Sequence, residues 1–113
     1  MANWTAAQLR NAALTKLGII GQGETAQAGD AALVDAAWVS LHPQLRKEGL
    51  APFTSSAIPE WAQQPVSKRL AGEVAEDFGL PQGEDLRRRG TRDLARQNAT
   101  EKAPVRVRVS DFL

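Results

Sequence analysis

The sequence predicts an all-α protein: a small bundle of about four helices followed by an extended, strand-like C-terminal tail. Three observations carry this. Apolar residues recur every three or four positions along most of the chain, the spacing of one helix face. Glycines and prolines punctuate those stretches where helices start and stop. Only the last eleven residues depart from the pattern, alternating apolar and polar side chains. The 113 residues fit one domain, with 1–102 read as the helical domain and 103–113 as its tail.

The elements follow in order. Thr5 is placed to cap a first helix, whose face carries Leu9, Ala13 and Leu17 and which Gly18 closes. Ile19 to Gly29 is glycine-rich and reads as a loop, with Ile19 and Ile20 turned into the core. A second helix starts near Asp30, which or whose neighbour caps it. Its face is Val34, Trp38, Leu41 and Leu45, and Gly49 ends it. Pro43 lies inside that pattern and predicts a kink or a split near His42. A connector with Pro52 and a Thr54-Ser55-Ser56 run leads to Pro59, suited to the first turn of a third helix. That helix carries Trp61, Val66, Leu70, Val74 and Phe78; Pro65 divides it and Gly79 closes it. A fourth helix runs from about Gly83 to Ala99 with little apolar content beyond Leu86 and Leu94. Such a helix is expected to be weakly held by its own domain and completed by a neighbouring subunit.

Composition excludes much chemistry. There is no cysteine, which removes disulfides and thiolate metal sites, and the one histidine, His42, removes multi-histidine sites and most triads. A catalytic histidine needs an orienting carboxylate, and none is identifiable for His42. Gly21, Gly23 and Gly29 lack the preceding strand and the lysine of a phosphate-binding loop. The expectation is a protein that is not an enzyme and uses no cofactor. MANWTAAQLR is not patterned as a signal peptide, and no apolar run approaches a membrane span, so a soluble protein made in a cytoplasm is expected.

The net charge of +1 is unevenly spread. Gln82 to Leu113 holds eight Lys/Arg against five Asp/Glu, and the remainder six against eight. Arg87, Arg88, Arg89, Arg92 and Arg96 form the basic cluster, suited to the phosphates of DNA or to acidic groups on a partner. The plainer reading is a solvated face balanced by Glu84, Asp85 and Asp93. No aromatic residues interleave with it, which argues against single-strand stacking. In the tail, Val105, Val107 and Val109 alternate with Arg106, Arg108 and Ser110 before Phe112 and Leu113. A lone strand is not stable in water, so this segment frays, pairs within the chain or pairs with another protein. Its alternation and apolar tip favour docking by strand addition.

The order of landmarks resembles a known family. ALTKLGII is followed by GETAQAGDAALVDA, LRKEGLAPF and IPEWAQQPVSKRLAGEVAEDFGLP, then by the arginine-rich helix and the extended tail. This is similar to the tail-accessory adaptors of short-tailed phages and the related head-to-tail connectors of long-tailed phages. The landmarks span residues 12–81, and their order and spacing carry the likeness. The resemblance implies an all-helical subunit of a homo-oligomeric ring, usually a dodecamer, in the virion neck, assembled in the host cytoplasm. It implies contact with the portal protein ring on one side and a tail or head-closure protein on the other, with packaged DNA passing through the channel without specific binding and no membrane involved. It assigns portal docking to Val105, Val107, Val109, Phe112 and Leu113. Arg87, Arg88, Arg89, Arg92 and Arg96 would face neighbouring subunits or the DNA channel. The rival reading is a small helical DNA-binding protein that uses the arginine-rich helix.

Overall fold

A computed structural model describes residues 2–102. Four α-helices are present, α1 (Ala6–Lys16), α2 (Ala28–Lys47), α3 (Glu60–Val74) and α4 (Gly83–Lys102), with a single 3-10 turn at Glu76–Phe78. The expected small all-α bundle is therefore the observed one.

Local sequence sets most of the boundaries. At α1, the Thr5 side chain accepts from the Gln8 amide while Gln8 reaches back to the Thr5 amide, a complete capping box. Helices α1 and α2 and the 3-10 turn each end in a glycine with left-handed backbone: Gly18, Gly49 and Gly79, at φ 75°, 76° and 72°. Each is followed by a residue whose amide bonds back to the carbonyl five positions earlier, Ile19 to Leu14, Leu50 to Leu45 and Leu80 to Ala75. This is the Schellman arrangement, which satisfies carbonyls that a helix end leaves open.

Helix α2 starts at Ala28, ahead of the expected Asp30, and its N-cap Gln27 makes no side-chain cap. Asp30 instead places its charge in the first turn, where it complements the positive end of the helix. Pro43 does not split α2, which is continuous through it. The bond Pro43 cannot donate would have gone to the carbonyl of Val39, a residue that is largely exposed. Pro59 is the N-cap of α3 rather than a helical residue, and Pro65 does not divide that helix. Gly79 closes the 3-10 turn, and α4 runs past Ala99 to Lys102.

Helix α3 is central. It buries residues on every side, among them Ala62, Val66, Ser67, Leu70, Gly72 and Val74, and contacts all three other helices. Leu9, Ala13 and Leu14 of α1 and Val34, Trp38, Leu41 and Leu45 of α2 complete one core with it. Ile20 joins that core and Ile19 packs at its edge, as expected. Trp4 and Ile58 exchange two backbone hydrogen bonds of 2.9 Å, which ties the N-terminus to the start of α3.

Helix α4 is the main departure from expectation. Far from being weakly held, it makes the largest helix–helix contact of the fold, against α3. The contact works through absent side chains. A Cβ on Gly90 would lie 2.5 Å from the Arg69 amide nitrogen and 2.9 Å from the Pro65 carbonyl oxygen; one on Gly72 would lie 2.6 Å from the Arg87 nitrogen. The two backbones touch there, which only glycine permits. Leu94 and Asn98 continue the buried stripe of α4 one and two turns on.

Candidate interaction surface

Docking α4 through Gly83, Gly90, Leu94 and Asn98 fixes which side chains face outward. Arg88, Arg89 and Arg92 keep 72%, 56% and 60% of their side-chain surface exposed. Arg96 is also exposed, and lines a cleft of about 470 Å³ with Trp61, Lys68 and Asp93. Arg87 departs from the group: it is half-buried and donates to the Gly72 carbonyl at 3.3 Å, so it serves the α3–α4 contact. Four of the five expected arginines therefore share an outward surface and one does not.

Carboxylates lie among them. Asp85 accepts from Arg88 at 2.9 Å and forms an ion pair with Arg89 at 3.0 Å. Asp93 accepts from Lys68 at 2.9 Å and sits 3.5 Å from Arg92. The hydrogen bond from Lys68, ahead of the charges of Lys68 and Arg92, holds the Asp93 carboxyl below the usual aspartate range, against the opposing effect of burial. Glu84 makes no ion pair among the described residues. Exposed pairs of this kind are each worth roughly 0.2–1 kcal/mol. An outside carboxylate or phosphate can displace them at small cost.

Beside this surface, Lys16 donates to Gln64 at 2.7 Å. Partial loss of its water shell, then the nearby Lys68 charge, holds its ammonium below the usual lysine value. On α3, Arg69 is buried, bound to Glu73 at 3.0 Å and to the Thr91 hydroxyl at 2.6 Å. The sequence reading missed Arg69 because its heptad position became interior only once α4 covered it.

A second exposed feature lies between α1 and α2. Val39 is 72% exposed, a large apolar side chain facing solvent. It borders a cleft with Ala6, Ala7, Trp38 and Pro43, and the Arg10–Asp35 ion pair of 3.2 Å stands at its edge. Val39 escaped notice in the sequence, although it falls one residue off the Val34–Trp38–Leu41–Leu45 face.

His42 is half-buried. Its Nε2 lies 2.7 Å from the Phe53 carbonyl oxygen, an acceptor, so Nε2 carries the proton and donates. Its ring packs between Trp38 and Phe53, at centroid distances of 5.2 and 6.1 Å. Its role is to tie α2 to the connector. Among the described residues no group of three or more His, Asp or Glu converges as a metal site. Val105, Val107, Val109, Phe112 and Leu113 lie outside the described residues.

The fold and surface define an all-α protein with a basic helical face. No family model, curated protein or solved structure matches the chain.

Proposed function

We propose that the protein is a structural connector of a phage virion, one subunit of a ring between the portal and the tail. The observation that supports this best is where the family-like landmarks fall. LG of ALTKLGII, EGL of LRKEGL and FGL of EDFGLP coincide with the three glycine-closed ends, so the similarity lies in the positions of turns that set the order of helices. An exposed basic face on α4 and an exposed valine on α2 suit a subunit with more than one neighbour. In this reading Arg88, Arg89, Arg92 and Arg96 meet acidic groups of an adjacent subunit, and residues 103–113 reach the portal.

The DNA-binding reading uses the same face. It has one cation fewer than the sequence offers, because Arg87 is diverted to α3. Sedimentation through a density gradient with the portal ring tests the proposal. Full-length chain is expected to travel with the ring, and chain ending at Lys102 to remain at the top. Equal binding of both would remove the tail from the interface. Tight, salt-dependent retardation of duplex DNA, with no portal binding, would favour the rival.

A further inference from the structure

We propose that the cleft between the first turns of α3 and the C-terminal half of α4 binds an unpaired nucleotide of a single strand, its base against Trp61 and its phosphate between Lys68 and Arg96. The site does not depend on the connector reading. Within the sequence no aromatic residue interleaves with the arginines of α4, but packing supplies one. Helix α3 lies along α4 and sets Trp61 in the same cleft as Arg96, although the two are far apart in the chain. The cleft holds about 470 Å³, within the range of roughly 300–1,000 Å³ that small-ligand sites occupy.

Its charges are unevenly paired. Asp93 is engaged by Lys68 at 2.9 Å and by Arg92 at 3.5 Å. Lys68 gives one donor to Asp93 and keeps the others. Arg96 is exposed and makes no ion pair among the described residues. A planar guanidinium without a carboxylate is suited to a phosphate. Lys16 adds a cation at the margin, where its ammonium bonds to Oε1 of Gln64, a residue of the cleft, at 2.7 Å. That bond takes the acceptor of the Gln64 amide and leaves its NH2 as a further donor. Burial first, and then the charge of Lys68, hold the Lys16 ammonium below the usual lysine range, so the two lysines feel each other's charge. A bound anion relieves that repulsion.

Trp61 and Glu60 call for more than a bare anion. Trp61 is half-buried, and Phe53 meets it edge to face at 5.9 Å, which braces the indole as a wall of the cleft. Every base has a π-face that stacks on such a ring, whatever the sequence of the strand. Glu60 also lines the cleft and makes no ion pair among the described residues. It repels a lone phosphate but accepts from the N–H groups of a base. A nucleotide carries the ring, the N–H donors and the phosphate together. In a duplex the bases are already stacked and paired, so only the phosphate is on offer. Arg96 belongs as well to the surface assigned to an adjacent subunit, and the two uses exclude each other at that residue.

The test uses the full-length chain, Trp61→Leu and Arg96→Glu, each checked for folding by circular dichroism, with a short oligothymidylate as the probe. Binding is followed by tryptophan fluorescence and by the anisotropy of end-labelled strand. The expected result is saturable quenching in the wild type. Trp61→Leu should weaken binding roughly ten- to a hundredfold by removing one stacked base. Arg96→Glu should weaken it about tenfold or more by removing a charged hydrogen bond to phosphate. Arg96 is exposed, so that variant keeps the fold even where Trp61→Leu does not. The same strand annealed to its complement, and inorganic phosphate, should bind far more weakly. Absence of quenching, or undiminished affinity in either folded variant, would overturn the proposal. So would duplex binding equal to that of the single strand, which assigns the face to backbone contacts. Competition by inorganic phosphate at the concentration of the nucleotide would leave a bare anion site and overturn it too.

Discussion

Gly72 and Gly90 set the tightest backbone-to-backbone tolerance among the described residues. At Gly90 an added methyl would meet the Arg69 backbone at 2.5 Å, and backbone cannot swing aside as a side chain does. Gly90→Ala is expected to lower stability by about 2–3 kcal/mol through forced separation of α3 and α4. At Gly29, in the first turns of α2, nothing lies within 4 Å of the added atom. Gly29→Ala is expected to raise stability by about 0.4–1 kcal/mol, because the unfolded chain loses freedom. Urea unfolding of the two variants checks this: the same chemical change should move the midpoint in opposite directions. Asp93 gives a prediction in pH. Its carboxyl is held below its ordinary range by the Lys68 hydrogen bond first, so its charged form is favoured in the folded state. That stability is present above the ordinary aspartate pKa and is lost as pH falls through the lowered value. Asp93→Asn should flatten the acid side of a stability–pH profile while leaving the slope above neutrality unchanged.

At the scale of elements, caps and turns were the legible part. Thr5, Gly18, Gly49 and Gly79 act over three to six residues, so their chemistry is complete within a short stretch of sequence. Thr5→Ala should cost about 1 kcal/mol in urea unfolding by removing the capping box; Thr5→Ser should largely restore it. The prolines were less legible. Whether Pro43 breaks α2 depends on whether its freed carbonyl partner faces water, a tertiary fact. Helix α4 was the least legible. Counting apolar side chains made it look loosely held, because a helix that docks through glycine shows nothing to count. The informative signal was Gly83 and Gly90 seven residues apart, continued by Leu94 and Asn98, but it reads as a packing stripe only when Gly72 faces it from α3. The same docking separates Arg87 from the outward arginines. Five similar residues in the sequence thus become four on a surface and one at a helix contact.

For the whole molecule, the rigid backbone contact between α3 and α4 makes the basic face a fixed platform rather than a swinging arm. Charge reversal there should act on assembly and not on folding. Arg88→Glu with Arg92→Glu should shift stability by about 0.5 kcal/mol or less, since exposed pairs are weak. Self-association, followed by sedimentation velocity with and without the portal, should fall sharply in the same variant. The central claim is that this bundle is a ring subunit seated on a portal. Electron microscopy of purified portal rings mixed with full-length chain tests it most directly. The account predicts one added layer of density with the portal's rotational axis, built of small helical bundles. Bare portal rings at saturating protein, with the chain folded and in excess, would contradict it.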